Sequence, residues 1–338
     1  MKLKPLIVIG MSFALVSGPT VAAAHTPPQA LPVGTCINIG NTLELRNQAE
    51  LGDGDVNAED FLRIKAAGFE TVRIPVRWDN QSANTAPFTV DPEWMARVER
   101  IVGWAMAADL NVILNSHHFE PIHENPLAVA EWHGAVWRQI AEKFADQPED
   151  RLWFELENEP HENFDHSNLL ETLAPALAAV RESNPTRAVI IGGENWSGID
   201  SLETLPLPDD ANIYPTFHYY SPFAFTHQGA SWVSPDVPPA GRMFPTADDR
   251  EQLKKDVAKV EAYIERTGKV PFMGETGAYD LHISTPDRVA YHRAVRDAFA
   301  PTGIGMCAWA YANTFPLYDK KKGEWLPEMV EAFRLPKE

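Results

Sequence analysis

The chain has 338 residues, 47 acidic against 29 basic side chains and a formal net charge of −18 with histidine neutral. So acidic a surface repels phosphate, which excludes nucleic acid and anionic membranes as expected partners but leaves a neutral polysaccharide open. Only two cysteines are present, so no disulfide framework is expected and a hydrophobic core must supply the stability.

At the N-terminus Lys2 and Lys4 precede an apolar stretch from Leu6 to Val16 and the small-residue run Val21-Ala22-Ala23-Ala24. That order predicts a secretory signal peptide over residues 1–24, with an apolar core too short to span a bilayer. No later segment offers the roughly 18 uninterrupted apolar residues of a membrane helix. Residues 25–338 are expected to form one exported domain, secreted or periplasmic, with a charge of about −20 once Lys2 and Lys4 are gone.

From Gly34 onward short apolar runs alternate with longer stretches of helical period, and no linker interrupts them. Such alternation predicts parallel βα units. Strands are expected at 36–39, 71–75, 112–115, 152–156, 188–191, 213–216, 270–273 and 304–308. Eight of them predict an α/β fold, a single-domain (β/α)8 TIM barrel. Between the strands, Trp94, Val98, Ile101 and Ala105 recur at helical spacing, as do Trp132, Val136, Ile140 and Phe144, and Leu253, Val257, Val260 and Ile264. These are core-facing stripes, so Trp94, Trp132 and Trp137 are expected to pack rather than to bind ligand. Residues 219–244, rich in aromatics, proline and glycine, show no period and predict a long loop on the catalytic face. Cys36 and Cys307 fall in the first and last strands. Two buried thiols are the expected state, and a bridge across the closing barrel is the other.

Polar side chains gather at the predicted strand ends. Arg73 lies within the second strand, His117 and His118 follow the third, Asn158 and Glu159 the fourth, His218 and Tyr220 the sixth, Glu275 the seventh and Trp309 the eighth. Barrel enzymes keep their active sites on this C-terminal face. Two isolated carboxylates there point to cleavage of a glycosidic bond with retention. That reaction needs one protonated carboxyl for the leaving oxygen and one ionised carboxylate, about 5–5.5 Å away, for the anomeric carbon. Glu159 suits the acid/base role, with the Asn158 amide on the sugar 2-hydroxyl and His218 orienting the acid. Glu275 suits the nucleophile, kept ionised by Arg73 and hydrogen-bonded by Tyr220.

These residues resemble the cellulase family, glycoside hydrolase family 5, over nearly the whole mature chain. Gly40-Asn41-Thr42-Leu43-Glu44 is similar to its first strand-end motif, Arg73-Ile74-Pro75-Val76 to its arginine motif and Asn115-Ser116-His117-His118 to its histidine motif. Phe154-Glu155-Leu156-Glu157-Asn158-Glu159-Pro160 resembles the acid/base motif, His218-Tyr219-Tyr220 the His-x-Tyr motif, and Gly274-Glu275-Thr276-Gly277 the nucleophile motif, with Trp309 the last aromatic. The resemblance implies a covalent glycosyl-enzyme, no cofactor, Glu159 and Glu275 as the catalytic pair, and His117 as the supporting histidine. Asn41, Glu44, Trp78, His118, Trp196 and Trp309 are the candidate substrate-binding residues, the tryptophans as stacking platforms for sugar rings. Phe223, Phe225, His227 and Trp232 are expected to wall the leaving-group side. Residues 218–229 look most like bacterial cellulases, so β-1,4-glucan is the favoured substrate, ahead of mannan, β-1,3-glucan or xyloglucan. With no binding module in view, soluble or amorphous glucan is expected over crystalline cellulose, and a monomer is the expected acting unit.

Three rivals carry less weight. A zinc site from His117, His118, His123 and His133 lacks an H-E-x-x-H pattern, and Asp53, Asp55 and Glu59 lack the full ligand set of a calcium loop, so no metal is expected. No G-x-S-x-G elbow supports serine hydrolysis. A barrel that binds sugar without cleaving it is at odds with the intact carboxylate pair.

Overall fold

The computed structural model describes residues 28–48 and 55–336, so the expected signal peptide and Asp53 lie outside the described residues. Strands β1 (Thr35–Asn38), β2 (Thr71–Val76), β3 (Asn111–Ser116), β4 (Leu152–Glu155), β5 (Val189–Gly192), β6 (Ile213–His218), β7 (Phe272–Thr276) and β8 (Met306–Ala308) pair in parallel with their neighbours, and β8 closes on β1. Every expected strand is present, with ends displaced by at most three residues. The late start of β7 has a local cause. Pro271 has no N–H for a ladder, so β7 begins after it at Phe272, and Lys269–Val270 pairs instead with Gln29–Ala30 outside the barrel.

Helices α1 (Ala58–Ala66), α2 (Pro92–Ala107), α3 (Pro126–Lys143), α4 (Leu169–Ser183), α5 (Ala247–Thr267), α6 (Thr285–Phe299) and α7 (Met329–Phe333) surround the barrel. Between β5 and β6 the usual helix is reduced to two short turns, Glu194–Ser197 and Ile199–Glu203. The three helical stripes face inward as the periodicity requires, Trp137 is fully buried, and Trp94 is 6 % exposed. Among the described residues no helix is long and apolar enough to cross a membrane.

Each strand divides its side chains between two environments. On β2, Val72, Ile74 and Val76 join the apolar layer under the helices, while Arg73 points into the barrel. The same alternation runs past the end of β2 and corrects one expectation: Trp78 shares the phase of Val76, its indole is fully buried in that apolar layer, and it offers no face to a sugar. The barrel floor is packed by Cys36, Ile113, Trp153, Ile190, Phe272 and Cys307, with Tyr214 against them.

Cys36 and Cys307 are also corrected. They are direct partners in the register of β1 and β8 and form a disulfide. Adjacent parallel strands present paired residues to the same side, which is the fact the isolated sequence could not supply. The bridge spans 271 residues, and in the chain-entropy account a loop that long is worth up to about 5 kcal/mol. The Cys36→Ala/Cys307→Ala protein is expected to be less stable by about 3–5 kcal/mol in chemical denaturation. Two titratable thiols in the unreduced, unfolded wild type would rule the bridge out.

Candidate active site

Arg73 organises the barrel mouth. It is fully buried and its five N–H donors are all taken. Nε and Nη2 reach the two oxygens of Glu155 at 2.7 Å each, Nη2 also donates to Asn158 Oδ1 at 2.7 Å, and Nη1 donates to Asn38 Oδ1 at 2.9 Å and Glu275 Oε1 at 2.7 Å. One cation thus links β1, β2, β4 and β7. Two members, Asn38 and Glu155, were not singled out from the sequence. Their signal is phase, since both sit on the inward side of their strands.

Glu275 reaches this hub because β7 breaks its alternation. Thr216 pairs with Phe272 and Phe217 with Met273, but His218 pairs with Glu275, so one extra residue is absorbed at Gly274. A bulge of this kind turns the next side chain to the opposite face. Only glycine fits there: a Cβ at residue 274 would lie 2.8 Å from both His218 Nε2 and Thr216 Oγ1. The carboxylate of Glu275 then accepts from Arg73 on one oxygen and, at 2.8 Å, from the Tyr220 hydroxyl on the other.

Across the mouth, His218 Nδ1 lies 2.6 Å from Glu159 Oε1 and 3.7 Å from Glu275 Oε2. An oxygen of Glu159, an oxygen of Glu275 and a His218 nitrogen all fall within 4.8 Å of one another. The two carboxyls differ in surroundings. Glu275 keeps 6 % of its side-chain surface exposed, whereas Glu159 keeps 23 %. Burial raises both pKa values, that of Glu159 to about 7. Against burial, His218, Arg73 and the Tyr220 hydroxyl pull Glu275 back toward the ionised form. Burial also holds His218 neutral, with its pKa down to about 4. Two neighbouring carboxyls in such different surroundings are suited to different protonation states, Glu159 to keeping its proton near neutrality and Glu275 to accepting bonds as an anion.

The rest of the rim is polar and aromatic. His117 is buried, donates from Nδ1 to Asn115 Oδ1 at 2.9 Å, and stacks on Trp309 with centroids 5.4 Å apart and planes 7° apart. Since Asn115 Oδ1 accepts, the proton is assigned to Nδ1 and Nε2 is left as an acceptor. His118 packs edge-on against His117 at 4.6 Å. Glu44 is buried, and its oxygens already accept the backbone N–H groups of Asn41 and Thr42. It therefore braces the loop that carries Asn41, whose Oδ1 accepts from Thr314 Oγ1 at 3.4 Å. Trp196 is 55 % exposed beyond Glu159, and Phe223 and Trp232 are 47 % and 53 % exposed on the loop after β6. Phe225 turns the other way and is buried, a correction to its expected place in the wall.

The weighed zinc set does not assemble. His117 and His118 stand at the rim, whereas His133 and His123 face Glu157 behind β4, His133 Nε2 donating to the Leu156 carbonyl at 2.9 Å. Glu159, His218 and Glu275 are the one group among the described residues close enough to share an ion. Both oxygens of Glu275 are engaged, however, Oε1 by Arg73 and Oε2 by the Tyr220 hydroxyl, so a cation would compete with these partners.

A parallel barrel with two carboxyls facing each other at its C-terminal rim is the arrangement of the retaining glycosidases among barrel proteins. The chain belongs to the cellulase family, glycosyl hydrolase family 5, whose model matches residues 42–314. It is 32 % identical over 326 residues to endoglucanase H of Acetivibrio thermocellus, covering 91 % of this chain but only 34 % of that longer protein. It is 30 % identical to endoglucanase A of Ruminococcus albus, covering 87 % of each. Structures of Thermotoga maritima Cel5A with mannotriose and with cellobiose superpose with TM-score 0.85 at 33 % identity, covering 89 % of this chain and 97 % of theirs.

Proposed function

We propose that this protein is a retaining endo-β-1,4-glucanase. The observation that carries the reading is that an oxygen of Glu159 and an oxygen of Glu275 lie within 4.8 Å of each other. Retaining glycosidases hold their carboxyls about 5–5.5 Å apart, whereas inverting ones leave about 6.5–9.5 Å for a water. Glu275 attacks the anomeric carbon while Glu159 gives its proton to the departing oxygen. Glu159 then takes a proton from water, which displaces Glu275 from the sugar. Asn158, its Oδ1 fixed by Arg73, directs its amide to the 2-hydroxyl. Arg73 and Tyr220 hold the nucleophile, and His218 holds the acid. His117, His118 and Asn41 line the glycone side, the last on a loop braced by Glu44, with Trp309 and Trp196 as platforms. Endo action on β-1,4-glucan is supported by the endoglucanase relatives and by the cellobiose complex of the Thermotoga protein. Its mannotriose complex favours mannan as a second substrate.

A monomer is the acting unit in this reading, which is supported by one chain's supplying both carboxyls and their partners. Its place of work is outside the cytoplasm, with residues 1–24 removed. The Cys36–Cys307 bridge favours an oxidising compartment, and N-terminal sequencing of the exported protein should begin at His25.

The reading is tested by reducing-sugar release from carboxymethyl cellulose, barley β-glucan and glucomannan across pH. Activity is expected on the glucans, falling as pH rises through about 7, where Glu159 loses the proton it must donate. The acid limb belongs to Glu275 and lies above the ordinary carboxylate value, because burial outweighs its partners. Silence on all three polymers would refute the reading, and a rate that stays flat well into the alkaline range would remove Glu159 as the acid.

A further inference from the structure

Glu159 occupies the left-handed region of backbone space, φ 40°, where a non-glycine residue persists only if its surroundings hold it there. Three contacts on the flanking segment do so. Asn158 N–H donates to the Ser116 carbonyl at 2.7 Å, Trp196 N–H donates to the Pro160 carbonyl at 3.0 Å, and His161 Nδ1 lies 2.6 Å from the Glu159 carbonyl oxygen itself. A carbonyl only accepts, so Nδ1 carries the proton.

His161 is held by ring contacts as well as by this bond. Its ring is the middle of a three-ring stack, 5.1 Å and 13° from Trp196 on one face and 3.8 Å and 20° from His123 on the other. His123 is buried, with Nε2 3.9 Å from Glu157 Oε1. Glu157 in turn is fixed by the Ser116 hydroxyl at 2.8 Å and by the Phe119 N–H at 3.4 Å. The chain of contacts runs from β3, through the back of the β4 rim, to the backbone of the proton donor. Ser116, Glu157, His123 and His161 have no part in the chemistry described above.

We propose that His161 is a positioning residue for the acid/base, its Nδ1–H holding the strained Glu159 backbone so that the carboxyl stays against His218. The inference rests on the assignment of Glu159 as proton donor. H161F retains an aromatic ring between His123 and Trp196 but removes the donor. H161N restores a donor close to Nδ1 and removes the ring.

The test compares kcat/KM on cellotetraose, whose leaving group needs a proton, with that on 2,4-dinitrophenyl β-cellobioside, whose leaving group does not. H161F is expected to lose roughly 10-fold or more on cellotetraose, since small misplacements of a catalytic group cost up to about 100-fold. On the activated glycoside it should stay within about 2-fold, and H161N should recover most of the loss. Equal losses on both substrates, no loss on either, or an H161N protein as impaired as H161F would overturn the proposal. A crystal structure of H161F gives a readout independent of activity: Glu159 should leave its 2.6 Å contact with His218, and an unmoved carboxyl refutes the clamp. A wild type inactive on both substrates would instead strike the glucanase reading.

Discussion

Glu275→Gln is expected to lower kcat/KM on soluble β-glucan by on the order of 10^4-fold or more, the scale of losing a covalent nucleophile. Glutamine keeps the volume but supplies no anion to the anomeric carbon. It also places an NH2 where two donors already converge, Arg73 Nη1 at 2.7 Å and the Tyr220 hydroxyl at 2.8 Å, so one of them loses its acceptor. Loss of the acid has a different signature. Glu159→Gln should cost about 10^2–10^4-fold on glucan yet spare glycosylation by a substrate whose leaving group needs no proton. A 2-deoxy-2-fluoro cellobioside with an activated leaving group should add its mass to the peptide containing Glu275. Label on the Glu159 peptide would reverse the two roles, and a Glu275→Gln protein within tenfold of wild type would end the nucleophile assignment.

Arg73→Met is expected to be the most damaging substitution for stability at the site. It leaves Glu155, 1 % exposed, and Glu275, 4 % exposed, without their shared cation. Removing one partner of a buried ion pair costs about 3–5 kcal/mol, because the remaining charge stays buried. In a domain of this size that lowers Tm by on the order of 10 °C. Lysine is no substitute, since a single ammonium cannot reproduce the fork on Glu155 and the bonds to Asn38, Asn158 and Glu275 together. Adding Glu155→Gln should return part of the loss by removing one stranded charge. Activity should respond through pH as well. Arg73 lowers the Glu275 pKa, so without it the nucleophile ionises at higher pH and the acid limb moves upward. A Tm and an acid limb both unchanged would contradict the hub.

Much of this was legible in one dimension because the relevant periods are local. Alternating apolar runs located all eight strands, helical stripes located the packed tryptophans, and the motif order located Arg73, His117, Asn158, Glu159, His218, Tyr220 and Glu275 at one rim. What failed was phase and register. Trp78 looked like a rim platform because it follows a strand end, although the alternation Val72, Ile74, Val76 already placed it on the outward side. Asn38 and Glu155 have the inward phase as their signal, but phase alone does not say which cation a polar residue inside an apolar run will meet.

The sequence by itself determined the barrel, the carboxyl pair and the residues that surround it, since each depends on residue identity and short spacing. Only the tertiary structure decided that Cys36 and Cys307 bridge, because register between the first and last strands is a property of closure. Closure also brings Arg73 within 2.7 Å of carboxylates 82 and 202 residues away. The bulge at Gly274 belongs to the same class: alternation along β7 would point Glu275 outward, and it faces the sugar site because pairing to β6 slips by one residue.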